Sequence, residues 1–137
     1  MILVLDDDAV IGKCLLRILK KNGQIGYLYN NTIEAIDAVN EEVPEMIFMD
    51  IFLTGPDGFT FLNEMASYVD TMNVPVVIMS EKDFSKYDLR AYNVVGFLNK
   101  NTMLPEDVER FLNMCLKNRH MSDFEVKARD KIEVNND

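Results

Sequence analysis

The sequence predicts an α/β domain, (βα)5, folded as a doubly wound open parallel sheet in strand order 2-1-3-4-5. Three observations carry that prediction. Short apolar runs alternate along the chain with segments whose apolar residues repeat at helical spacing. The first, third, fourth and fifth runs are almost uninterrupted, as parallel strands covered on both faces must be. The second run, with Gly26 and two tyrosines, is mixed and suits a sheet edge.

The elements follow in order. Ile2 to Leu5 reads as a buried strand. Val10, Ile11, Cys14, Leu15, Ile18 and Leu19 then recur at helical spacing, and Asn22-Gly23 supplies the stop. A strand over Ile25 to Tyr29 leads to a cap at Asn31-Thr32 and a helix carrying Ile33, Ala35, Ile36 and Val39. Met46 to Met49 is the third strand, followed by Asp50, a Gly-Pro-Asp-Gly turn and a helix with Phe59, Leu62, Met65 and Ala66. The fourth strand spans Val74 to Met79, and a short helix is expected around Phe84 to Tyr92. Val94 to Leu98 is the fifth strand, and Pro105 suits the first turn of a last helix whose apolar face is Val108, Phe111, Leu112 and Cys115.

Composition narrows the function classes. The 137 residues are 48% hydrophobic and 27% charged, as in a single globular domain with a real core. No apolar run is long enough to span a membrane, and the start lacks the pattern of a signal peptide, so a cytoplasmic location is expected. A net charge of −9 argues against nucleic acid or an anionic membrane as a partner. Cys14 and Cys115 have no metal-ligand spacing and fall on apolar helix stripes, so both are expected to be buried small hydrophobes. His120 is the single histidine and lies among charged residues, which leaves no Ser-His-Asp site. The domain is expected to fill residues 1–118, with a charged tail or helical linker over 119–137, where nine of 19 residues are charged.

The chemistry concentrates at strand ends. In an open α/β sheet, ligands bind beyond the carboxyl ends of the strands where the strand order reverses, here between strands 1 and 3. Asp6 and Asp7 follow strand 1, Asp50 follows strand 3, Ser80 follows strand 4, and Lys100 lies just past strand 5. Two carboxylates about 4 Å apart repel by roughly 4 kcal/mol at an effective dielectric near 20, which solvent, a helix N-terminus or a cation must offset. Three close oxygen donors suit a hydrated Mg²⁺. A carboxylate beside that ion can act as a nucleophile toward phosphorus, with a lysine and a hydroxyl to neutralise and bind the phosphoryl oxygens. Asp8 is the spare carboxylate and reads as a helix-start residue.

The segments ILVLDDD, IFMDIFLTGPDGF, PVVIMS and GFLNK, in this order and spacing, resemble the receiver domain of two-component response regulators, with its chemotaxis-type, flavodoxin-like fold. The resemblance implies that Asp50 is the phosphoacceptor. It implies that Asp6, Asp7, Asp50 and the backbone carbonyl of Phe52 hold Mg²⁺, and that Lys100 and Ser80 contact the phosphoryl group. Ser80 and Phe97 would be the switch pair, with the aromatic rotamer following the hydroxyl. Phe52, Glu81 and Lys82 stand where tuning of the phosphoryl lifetime is expected. The donor would be a sensor histidine kinase or a histidine phosphotransfer protein. Output, including a homodimer, would run through the fourth helix, fifth strand and fifth helix, about residues 84 to 117. Such a domain is no turnover enzyme; it catalyses only its own phosphorylation and dephosphorylation.

Three positions depart from the family pattern. Asn101 replaces the usual proline after the lysine, where a cis bond would cost about 2.5–4 kcal/mol. Glu81 replaces a small residue beside the phosphoryl entrance, and Thr54 replaces a common proline. Two competing readings follow from the same residues. One is a receiver-like interaction module that no longer uses phosphoryl chemistry. The other is a haloacid-dehalogenase-like phosphatase, for which Asp6-x-Asp8 would be the motif and Glu106-Asp107 the distant acidic pair.

Overall fold

Uninterrupted apolar runs need cover on both faces, and the chain supplies it. The structure, a computed structural model, describes residues 1–53, 57–83 and 87–116. Strands β1 (Ile2–Leu5), β2 (Gly26–Tyr29), β3 (Met46–Asp50), β4 (Val76–Ser80) and β5 (Val94–Asn99) form one sheet in the order β2-β1-β3-β4-β5. Every pairing is parallel. The mixed second run is indeed an edge.

Alternation along the strands builds two cores. Leu3, Leu5, Ile47, Met49 and Ile78 face α2 (Thr32–Glu41) and α3 (Gly58–Ala66), packing with Ala35, Val39, Phe61 and Leu62. Ile2, Val4, Met46, Phe48, Val77 and Met79 face α1 (Ala9–Lys21) and α4 (Pro105–Cys115), packing with Leu15, Leu19, Val108 and Leu112. β1, β3 and β4 are buried along their whole length. Each fully buried Leu, Ile or Phe contributes roughly 1.5–3 kcal/mol by leaving water.

Local chemistry starts and stops the helices. Asp8 caps α1 by accepting from the N–H groups of Val10 and Ile11. Asn31 caps α2 and Asp57 caps α3 in the same way. α1 ends at Asn22, and Gly23 adopts φ +74°, a conformation that side chains resist. Gly58 opens α3 against the backbone leaving β3: a Cβ there would stand 2.5 Å from Ile51 Cα.

Two expectations need correction. The helix expected around Phe84 to Tyr92 is not formed by its described part: residues 87–93 make a bend and a turn. The Asp88 carboxylate accepts from the Arg90 N–H and pairs with its guanidinium, offering the backbone a local alternative to helix bonds. Leu89 and Tyr92 still pack on the core. Cys14 is exposed rather than buried, and Cys115 is half-buried. The buried face of α1 runs through Gly12, Leu15 and Leu19, because Gly12 brings the helix close to Leu28; Val10 and Cys14 turn to solvent. The expectations for residues 119–137, His120 and Thr54 lie outside the described residues. No described helix is long and apolar enough to cross a membrane.

Candidate functional site

Register brings the polar strand ends together. Leu5 pairs with Met49, so Asp6 emerges beside Asp50. Asp50 pairs with Met79, which places Ser80 one step beyond. Ser80 pairs with Asn99, and the Lys100 N–H donates to the Ser80 carbonyl at 3.0 Å. Asp6, Asp50 and Ser80 are buried, whereas Asp7 is exposed. All five strand-end residues singled out in the sequence therefore meet on one rim.

One carboxylate oxygen from each of Asp6, Asp7 and Asp50 lies within 4.8 Å of the other two. The cation among them is Lys100. Its Nζ stands 2.7 Å from Asp6 Oδ2 and 2.7 Å from Asp50 Oδ2, and it donates a hydrogen bond to the latter. Asp50 Oδ1 accepts from the Phe52 N–H at 2.8 Å, and Asp6 Oδ1 from the Asp8 N–H at 2.9 Å. The lysine side chain is only 5% exposed, so these contacts are little screened.

Burial pushes the Asp6 carboxyl above its ordinary range, against the pull of the Lys100 ammonium and the Asp8 N–H. Burial alone would lower Lys100, but its contacts with the Asp50 and Asp6 carboxylates outweigh it and hold the ammonium above its usual range. Asp6 Oδ2 has the Coulombic contact with Lys100 but no aligned hydrogen-bond donor among the described residues. A buried carboxylate oxygen with only an ion-pair contact to Lys100, facing two more carboxylates, fits a small hard cation.

A cavity of about 210 Å³ opens over these groups, lined by Asp7, Asp8, Asp50, Phe52, Ser80, Glu81, Lys82 and Lys100. Glu81 is exposed and forms part of its wall. The described residues contain no cis peptide, so Lys100–Asn101 is trans, and the lysine still reaches both aspartates. Phe97 is 54% exposed and lines a neighbouring cavity of about 450 Å³ with Ser80, Lys82, Asp83 and Tyr87. Lys82 donates its N–H to Ser80 Oγ at 2.9 Å, and its Nζ lies 4.9 Å from the Phe52 ring centre. Sequence reasoning missed Tyr87, whose ring packs against Phe52 and Phe59. Its only signal was an aromatic residue in a polar stretch.

Glu106 and Asp107 lie in the first turn of α4, outside the walls of the acidic cavity, where Asp107 accepts from the Leu104 N–H and pairs with Arg110. That pair is occupied in starting a helix, which removes the acidic support a phosphatase of the competing type would need.

Known structures share this architecture. A putative response regulator from Chloroflexus aurantiacus J-10-fl is similar at 23% identity and TM-score 0.74, covering 83% of this chain and 95% of that one. Chemotaxis protein CheY4 of Vibrio cholerae matches at 20% identity and TM-score 0.76, covering 84% and 97%. The receiver domain of NtrX from Brucella abortus matches at 24% identity and TM-score 0.74, covering 89% and 100%. At these identities the likeness shows the fold. The assignment rests on the sequence itself: residues 2–111 match the family model of the response regulator receiver domain. With that match spanning the sheet, the acidic rim and most of α4, the chain belongs to the response regulator receiver domain family of two-component signalling.

Proposed function

We propose that the chain is a phosphorylation-switched receiver whose phosphoacceptor is Asp50. The observation that carries this reading is the position of Asp50 at the end of the central strand, with Asp6 and Asp7 oxygens within 4.8 Å and Lys100 Nζ at 2.7 Å. A carboxylate oxygen of Asp50 forms a bond to phosphorus as the bond from phosphorus to the donor breaks, and the donor group leaves with that electron pair. For a sensor histidine kinase or a phosphotransfer protein, the leaving group is the histidine imidazole.

Asp6, Asp7, Asp50 and the Phe52 carbonyl would hold Mg²⁺, which supplies charge neutralisation for the phosphoryl oxygens when bound. Both Asp50 oxygens are engaged in this structure, Oδ1 by the Phe52 N–H and Oδ2 by Lys100. Phosphorylation replaces one of those contacts, and Lys100 can follow the charge onto the phosphoryl group. Ser80, buried beside Asp50, offers its hydroxyl to another phosphoryl oxygen, at the cost of its bond from the Lys82 N–H. Those new contacts bias a two-state equilibrium in which Phe97, 54% exposed on β5, repacks toward the space left by Ser80. The output face is then the turn before β5, β5 itself and α4, where a protein target or a second copy of the chain would read the state.

The test is intact mass after incubation with Mg²⁺ and acetyl phosphate, beside Asp50→Asn. A single phosphoryl adduct that needs the metal and vanishes in the variant supports the reading. A folded chain that takes no phosphoryl group from several donors overturns it in favour of a module that works by binding alone.

A further inference from the structure

At the mouth of the site Phe52 and Lys82, where tuning of the phosphoryl lifetime is expected, meet a side chain that no step above uses, Tyr87. Tyr87 packs edge-on against Phe52, with ring centres 5.9 Å apart and planes at 62°, and against Phe59 of α3 at 5.4 Å. Lys82 also contacts Phe52, with Nζ 4.9 Å from the ring centre, inside cation–π range. The Phe52 ring is therefore contacted by both an ammonium and an aromatic ring. Two segments meet there: the turn leaving β3, two residues after Asp50, and the segment leaving β4.

The same residues divide two cavities. Phe52 and Lys82 line the cavity of about 210 Å³ that contains Asp50. They also line a second of about 410 Å³, whose other walls are Asp83 and Tyr87. Phe52 and Lys82 are the partition between the two, and Tyr87 stands only on the outer side of it.

We infer that Tyr87 is a positioning residue for the acyl phosphate, holding the Phe52 ring, on which the Lys82 ammonium rests, as a wall that keeps water from the phosphorus. This inference rests on the reading of Asp50 as the phosphoacceptor. Hydrolysis adds the oxygen of water to phosphorus and breaks the bond to the Asp50 carboxylate oxygen. The aspartate recovers its carboxylate, and both protons of the water leave on dihydrogen phosphate. The step needs a water in line with that bond, on the side where Phe52 and Lys82 stand. A partition that stays shut lengthens the signal; one that swings into the outer cavity admits the attacking water.

The experiment labels the whole chain with acetyl phosphate and Mg²⁺, removes the donor and follows the adduct by intact mass. Tyr87→Ala is expected to label at the parent's initial rate and to lose the group about fivefold faster, as an opened water path allows. Tyr87→Phe keeps the ring and is expected to hold the parent's lifetime within about twofold. Adding Tyr87→Ala to Phe52→Ala is expected to give no further acceleration, because one residue acts through the other. An unchanged lifetime in Tyr87→Ala, or full additivity with Phe52→Ala, overturns the inference and leaves Asp50 as acceptor. A parent chain that is never labelled overturns both.

Discussion

Lys100 Nζ and Asp50 Oδ2 are 2.7 Å apart, and the same ammonium stands 2.7 Å from Asp6 Oδ2. The carboxylate cluster is thus stabilised from within the protein by one lysine shared between two buried acids. A divalent ion held by Asp6, Asp7 and Asp50 would meet two carboxylates that the lysine already contacts, so the two cations would compete for them.

Lys100→Met should expose that competition. Removing the lysine leaves buried carboxylate charge uncompensated, at a cost of about 3 kcal/mol without divalent ions. Mg²⁺ should then raise the melting temperature of the variant more than that of the parent, since the ion replaces the missing charge. Thermal melts with and without Mg²⁺ decide it; equal shifts in the two proteins would show that the lysine and the metal do not share ligands.

Phe52→Asn should shorten the lifetime of the phosphoryl group, because an amide can hold a water where the ring excludes it. A several-fold faster loss of adduct is expected. An unchanged rate would mean that Phe52 does not guard the phosphorus.

Gly58→Ala should destabilise the fold by about 1–3 kcal/mol, since its Cβ would press on main chain that has no room to yield. That Cβ would lie 2.5 Å from Ile51 Cα. Gly12→Ala should cost less, because the atoms it meets belong to the flexible end of Leu28. Urea unfolding of both variants checks the order of the two.

Thiol labelling should separate the cysteines. Cys14 is exposed and should react first. Burial pushes the Cys115 thiol above its ordinary value of 9.0, so its thiolate fraction grows only as pH rises past that range. Its alkylation rate should therefore keep climbing at pH values where an ordinary thiol has levelled off. The same sign holds for stability: the neutral thiol is favoured in the fold, and this contribution is lost as pH rises through the raised value. Mass mapping after timed iodoacetamide treatment tests the order and the pH trend.

The sheet was legible because β1, β3 and β4 are nearly pure apolar runs, and a strand buried on both faces leaves no other pattern. Asp6, Asp50, Ser80 and Lys100 were legible because strand ends in a parallel sheet all reach one rim. Asp8 and Asn31 announced their helices by residue type. What stayed hidden depends on contacts between distant segments. Gly12 rotates the buried face of α1 away from Cys14, yet a glycine adds nothing to an apolar pattern. The Asp88–Arg90 turn competes with a helix that spacing alone favours. Tyr87 meets Phe52 across two loops, and no periodicity encodes that meeting.

The rim also has a bearing on biosynthesis. Its aspartates emerge with the first and third strands, but the lysine that binds two of them follows the fifth and is synthesised near the end of the domain. A ribosome-bound fragment ending before Lys100 carries the acidic cluster without its internal counter-charge. A kinase meeting such a fragment would find a carboxylate not yet equipped to hold a phosphoryl group. If Asp50 is the phosphoacceptor, competence for signalling would then be a certificate of complete assembly, issued only when the last strand has docked.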